Sequence, residues 1–162
     1  MRALWYAALV VVLDQVSKYL VRQHLDLHTT RRVVGDFFRL TYVENSGIVF
    51  GIKVGGALPA FTILSIIATV LILYYFFRER TNHASVRISL ALVLGGAIGN
   101  LIDRIIFGRV VDFFDFGIGQ YRFFVFNIAD SAVTIGVIIF LLLTTFIYPH
   151  RHEEVSSRTE RG

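Results

Sequence analysis

Four runs of about twenty apolar residues dominate this chain, and they leave it few folds to choose from. They cover roughly residues 3–21, 57–77, 88–107 and 123–148. Each is close to the ~20 residues that carry a helix across ~30 Å of hydrocarbon. Inside a bilayer every backbone N–H and C=O must be bonded within the protein, so only helices and closed barrels can cross. These runs are too long and continuous for barrel strands. The pattern predicts an all-α integral membrane protein with four transmembrane helices, in a single membrane-embedded domain over 1–162. With 55% apolar and 17% charged residues in 162, no separate extramembrane domain of ordinary size fits. The first run is not read as a cleaved signal peptide. It carries Asp14 and Lys18 and ends without a small-residue cleavage site.

Cysteine is absent, which removes disulfides, thiol catalysis and Cys metal sites. The net charge of +4 is scattered among apolar segments and forms no nucleic-acid stripe, so anionic phospholipid headgroups are the simpler partner.

The connections differ in character. Residues 22–56 interleave Val33, Val34, Phe37, Phe38, Leu40, Tyr42 and Val43 with glycines, which predicts a small β-sheet cradle lying on the membrane surface between helices one and two. Residues 78–87 are short, polar and basic. Residues 108–122 mix charge with aromatic side chains and read as a loop. The tail, 149–162, is polar and is expected to be disordered. Trp5, Tyr6 and Tyr148 read as interfacial anchors. Four spans would put both termini on one side. Lys and Arg number seven on that side and nine on the other, so the positive-inside rule does not settle orientation.

Within this apolar frame stand carboxylates. Asp14, Asp103 and Asp130 lie in or at the edges of the runs, and Asp112 just beyond one. A carboxylate at bilayer depth costs at least ~2.5–3.5 kcal/mol even on the lenient insertion scale, and such residues are usually functional. Asp14 and Lys18 are i,i+4 and share a helix face. Asn100 precedes Asp103 and Arg104 by three and four, and Asn127 precedes Asp130 by three. Because the helices alternate direction, these polar stripes converge on one interface, beneath the expected sheet.

Two carboxylates close together in a low-dielectric site share a proton, because both cannot ionise. One then activates water while its protonated partner polarises the scissile carbonyl, as in aspartic proteases. There is no HExxH, GxSxG or Cys, and the five His lie outside the polar stripes. A Ser17–Lys18 dyad is disfavoured because i,i+1 residues point different ways on a helix. Asp130 is the first candidate carboxylate, and spacing alone leaves the second open between Asp112 and Asp103. A cation next to Asp103 would keep it ionised and make it a poor proton sharer. Asp103 and Arg104 are therefore expected to organise the site. Asp115 reads as a surface charge.

Five blocks occur in order: Asp14-Gln-Val-Ser-Lys18, Asn45-Ser-Gly-Ile-Val-Phe-Gly51, Gly95-Gly-Ala-Ile-Gly-Asn-Leu-Ile-Asp-Arg104, Val110-Val-Asp-Phe113 and Phe126-Asn-Ile-Ala-Asp-Ser131. Together they resemble the lipoprotein signal peptidase (signal peptidase II) family over nearly the whole chain apart from the tail. Ile48 and Val49 depart from it, standing where the family usually has small residues. The resemblance implies an aspartyl endopeptidase that cuts diacylglyceryl-modified bacterial prolipoproteins just before the lipidated Cys. It implies a catalytic pair at Asp112 and Asp130 and no metal or other cofactor. It also implies an active site toward the outer face of the cytoplasmic membrane, with both termini cytoplasmic.

The remaining polar residues take supporting roles. Asp14 and Lys18 form a structural pair, position the site or meet the lipid headgroup. Asn45 and Gly47 can orient the peptide, since Asn both donates and accepts and Gly allows close backbone approach. Asn100 and Asn127 are expected to hold carboxylate or backbone geometry. Gly95 and Gly99 form a small-xxx-small spacing for helix packing. The sheet and the Asn45 segment would cover the site and exclude bulk water during cleavage, and stiffening the Gly-rich segment 51–56 should slow turnover. The enzyme is expected to act as a monomer on its prolipoprotein, with no nucleic-acid partner. The competing reading from another class is a small proton-coupled transporter or channel, since intramembrane Asp and Arg mark ion paths. The uncharged second span, the clustering of charge at one interface and the lack of inverted repeats argue against it. A third reading, a scaffold with polar residues as helix glue, would tolerate Asn at both 112 and 130.

Overall fold

The computed structural model describes residues 2–46, 57–78 and 83–147. Helix α1 is Leu4–His24, α2 Ala57–Arg78, α3 Ala84–Phe107 and α4 Ile128–Leu142, which runs on into a π-helical turn, Leu143–Ile147. Three of these are long and apolar enough to cross a membrane, and α2 adds a shorter apolar stretch, Thr62–Arg78. The outward faces of the helices carry exposed Trp5, Leu9, Ile63, Leu71, Ile106 and Ile138. Such surfaces suit lipid, so the protein is a multi-pass membrane protein.

Helix α3 sits in the middle, packed against α1, α2 and α4. Glycine permits this. A Cβ at Gly95 would meet the Ala7 carbonyl of α1 at 2.7 Å, and one at Gly136 would meet the Ser89 carbonyl from α4 at 2.7 Å. Without a hydrophobic drive between helices in lipid, close backbone approach of this kind carries much of the association. The expected Gly95–Gly99 packing face is present, with Gly99 against Asp14.

Strands β1 (Thr30–Val34), β2 (Phe38–Asn45), β3 (Val110–Ile118) and β4 (Tyr121–Arg122) form a sheet in the order β1-β2-β3-β4, antiparallel throughout. The sheet is larger than the sequence suggests. Its second half comes from the connection read as a loop, because Val110-Val111-Asp112-Phe113-Phe114 combines β-branched and aromatic residues that suit a strand despite the charge. For the same reason α4 starts later than expected. Residues 123–127 belong to the sheet side, with Phe126 bridged to Phe114. Val21, Tyr42, Val111 and Phe113 form the core that seats the sheet on the end of α1. Gly108, at φ +71°, ends α3 with its N–H bonded to the Arg104 carbonyl at 3.1 Å. The chain turns there directly into β3.

Candidate active site

The site is assembled where α4 begins. Asn127 caps this helix: its Oδ1 accepts the Asp130 N–H at 2.9 Å, and Asp130 Oδ2 accepts the Asn127 N–H at 3.2 Å, a reciprocal capping box. Asp14 of α1 satisfies a further orphan donor of the first turn, its Oδ1 accepting the Ala129 N–H at 3.0 Å. Three N–H groups at this helix end, those of Asn127, Ala129 and Asp130, are thus held by side chains.

Asp112 comes to this helix end from β3. It pairs with Val43 of β2, so it lies on a central strand and not in a loop. Its Oδ1 accepts from Asn127 Nδ2 at 2.6 Å and its Oδ2 from Asn45 Nδ2 at 3.1 Å. Asp112 is 3% exposed. Burial, and next the charge of Asp130, push its carboxyl up to about 6, against the hydrogen bonds from Asn45 and Asn127. Asn127 therefore touches both carboxylates at once.

Behind them lies a second carboxylate cluster with a different chemistry. Lys18 Nζ donates to Asp14 Oδ2 at 2.8 Å, to Asp103 Oδ2 at 3.1 Å and to Asn100 Oδ1 at 2.9 Å. The side chains of Asp14, Lys18 and Asp103 are fully buried. Arg22 reaches Asp103 at 3.4 Å while lying over the Phe107 ring. Two carboxylates thus meet two cations. Asp103 also accepts the Val111 N–H at 3.2 Å, pinning β3 to α3. This cluster is balanced and bonded, which fits organisation and not proton transfer. The Ser17–Lys18 dyad, disfavoured by helical spacing, is not formed: Ser17 bonds the Asp14 carbonyl.

Several sequence readings need correction. Arg104 makes no ion pair with Asp103; its partners there are Lys18 and Arg22. Arg104 instead lines a cavity with Asn100 and Asp130. Asp115 is buried, bonded to Arg122 at 2.6 Å and to Thr41 at 2.7 Å, because neighbouring strands close over it. Gln15 was missed: its Nε2 donates to Asp14, the Gly99 carbonyl and Asp103 at 3.1–3.3 Å. A glutamine beside an intrahelical ion pair was the available signal. Gly47, Ile48, Val49, the Gly-rich segment 51–56, Tyr148 and the tail lie outside the described residues.

The cavity, about 340 Å³, opens between α2, α3 and α4. Ser65, Ala68 and Thr69 of α2 face Val93 and Ala97 of α3, and Asp130, Val133 and Thr134 close it from α4. Among the described residues, no group of three or more His, Asp or Glu is placed to hold a metal ion. A buried and a half-buried carboxylate on hydrogen-bonding amides, next to an apolar cavity, can perform general acid–base hydrolysis.

The family model described as signal peptidase (SPase) II matches residues 6–146. The chain belongs to this family. Among curated relatives, the lipoprotein signal peptidase of Syntrophus aciditrophicus is 45% identical over 140 residues, 84% of this chain and 87% of the relative. That of Staphylococcus aureus (strain Newman) is 38% identical over 136 residues, 84% and 83%. A bacterial membrane enzyme solved by the in meso method at 2.3 Å superposes with a TM-score of 0.79 at 34% identity, covering 94% of this chain and 93% of the other. Nearly the whole of both chains takes part in that superposition.

Proposed function

We propose that this chain is a membrane aspartic endopeptidase that removes the signal peptide from diacylglyceryl-modified bacterial prolipoproteins, with Asp112 and Asp130 as the catalytic pair. Family membership supports the activity. One observation carries the site: Asn127 bridges two carboxylates from different elements at the edge of an interhelical cavity.

The acyl chains of the lipidated Cys anchor the substrate in the bilayer, and the segment ahead of the Cys enters the cavity between α2, α3 and α4. Arg104 and Asn45 stand on either side of the pair to orient the peptide. One Asp takes a proton from water as the hydroxyl adds to the scissile carbonyl carbon. The other gives its proton to the carbonyl oxygen. The tetrahedral diol then collapses: the C–N bond breaks, the amine nitrogen takes a proton from the first Asp, and the second Asp recovers one from the diol.

On this reading all four helices span the cytoplasmic (inner) membrane as one domain, with the sheet extracytoplasmic and both termini, including the 149–162 tail, cytoplasmic. The enzyme works as a monomer among phospholipids and needs no metal. The test is cleavage by purified protein of a lipidated precursor and of its unlipidated form, with Asp112→Asn, Asp130→Asn and Asp103→Asn beside wild type. The reading requires cutting only of the lipidated precursor, loss in the first two variants and partial activity in the third. A folded Asp112→Asn enzyme that still cuts, beside a dead Asp103→Asn, would move the pair to Asp103 and Asp130.

A further inference from the structure

We propose that Lys18 is a positioning residue for the reaction: it locks the side-chain amide of Asn100 so that its NH2 faces Asp130, which makes Asp130 the base and Asp112 the acid. This rests on the Asp112–Asp130 reading above and goes beyond it by assigning each carboxylate its role.

The geometry starts from the ammonium. Lys has three N–H donors and no acceptor. All three are used, on Asp14, Asp103 and Asn100 Oδ1. An ammonium cannot accept, so the Asn100 atom facing it has to be the oxygen. The ambiguity that ordinarily attends an Asn amide is removed by chemistry. Asn127 Nδ2 reinforces it, donating to the same oxygen at 3.2 Å. Asn100 Nδ2 is thereby turned toward Asp130 Oδ1, 2.7 Å away. Asp130 Oδ2 already accepts the Asn127 backbone N–H. Both Asp130 oxygens therefore face donors that cannot reverse, at the positive end of α4, which favours a carboxylate there.

The charged groups around Asp130 are Asp112 from β3, Arg104 and Asp103 from α3, and Lys18 and Asp14 from α1. Among its described residues α2 brings only the hydroxyls of Ser65 and Thr69 to this cavity. Asp112 is the more deeply buried of the pair. Its carboxyl, raised to about 6, is the one suited to hold the shared proton.

If Lys18 is removed, the Asn100 oxygen keeps only the longer bond from Asn127 Nδ2, and the amide can rotate to present its carbonyl oxygen to Asp130. That arrangement favours the protonated acid and idles the base. Lys18→Met alone would leave Asp14 and Asp103 facing Arg22, so the double variant Lys18→Met/Asp14→Asn keeps the cluster neutral, with Asp14→Asn as its control. Asn100→Leu removes the amide directly. The measurement is kcat and KM for a lipidated precursor across pH, with thermal unfolding in detergent to follow folding. In both Lys18→Met/Asp14→Asn and Asn100→Leu, the acid limb of the profile should move up by about one pH unit or more. kcat should fall by about tenfold or more, with KM within about twofold. Asp14→Asn should leave the acid limb where it is. An acid limb unmoved in Asn100→Leu overturns the proposal, whatever the double variant does to folding. So does lost activity with an unmoved limb in a folded double variant. If Asp112→Asn or Asp130→Asn cuts normally, the pair itself is wrong, a failure visible without any Lys18 variant.

Discussion

The two ends of the helix bundle hold together by opposite means. At the end away from the sheet, Ala3, Ala7, Phe76, Val86, Leu90 and Ala91 pack with Phe140 as a plain apolar cluster. At the sheet end, α1, α3 and α4 meet through Asp14, Lys18, Asn100, Asp103 and Asn127, each bonded across helices. The first end tolerates exchange among side chains of similar volume, because van der Waals contact has little directional preference. The second does not, because every buried polar atom needs its partner in place. A membrane enzyme can be built loosely where it only spans and must be built by hydrogen bonds where it reacts.

Substitutions sharpen that contrast. The largest effect belongs to the proposed pair: on that proposal Asp112→Asn or Asp130→Asn should lower kcat for a lipidated precursor by more than about 10³-fold while the protein still folds, since each would remove an acid–base group. Asp103→Asn tests the balanced cluster. It should destabilise by about 3–5 kcal/mol, read as a lower midpoint in detergent, because it leaves Lys18 and Arg22 with one carboxylate between them. Partial cleavage should survive.

A pH series gives the next effect. Asp112 has its carboxyl raised in the fold to about 6, so folding favours its protonated form. Its contribution to stability is complete below about pH 4 and is lost as pH rises through about 6. Asp112→Asn should therefore be the more stable protein at pH 8, by on the order of 2 kcal/mol, with little difference at pH 4. Equal melting at both pH values would show that this carboxylate titrates normally.

At the apolar end, Gly136→Ala should push α4 off Ser89 and Val93, with a loss of about 1–3 kcal/mol. It should change KM and kcat far less than any of the polar substitutions. A dead but folded Gly136→Ala enzyme would break the contrast between the ends.

Local spacing made much of this legible. Asp14–Lys18 at i,i+4 is an ion pair, Asn127–Asp130 at i,i+3 is a capping box, and Gly95–Gly99 is a packing face. These are contacts within one helix, or the face of one, and helical periodicity encodes them. What escaped runs between elements. Nothing in the neighbourhood of Lys18 says that it reaches Asn100, 82 residues away. The order of charges invited a pairing of Asp103 with Arg104, yet consecutive residues leave a helix in different directions and only one faces α1. Strand β3 was hidden because Asp112 and Asp115, three apart, break the alternation expected of a half-buried strand. Both carboxylates are in fact buried, one toward the helices and one under Arg122.

The capping box at Asn127 and Asp130 has a consequence for how such an enzyme is made. With Asp130 as a catalytic residue, the group that performs hydrolysis is also the group that closes the first turn of α4. Until α4 has formed and met β3, its carboxylate has neither Asn127 nor Asp112 beside it. On that reading a chain whose α4 has not yet docked is latent, and becomes a protease only as α4 meets β3.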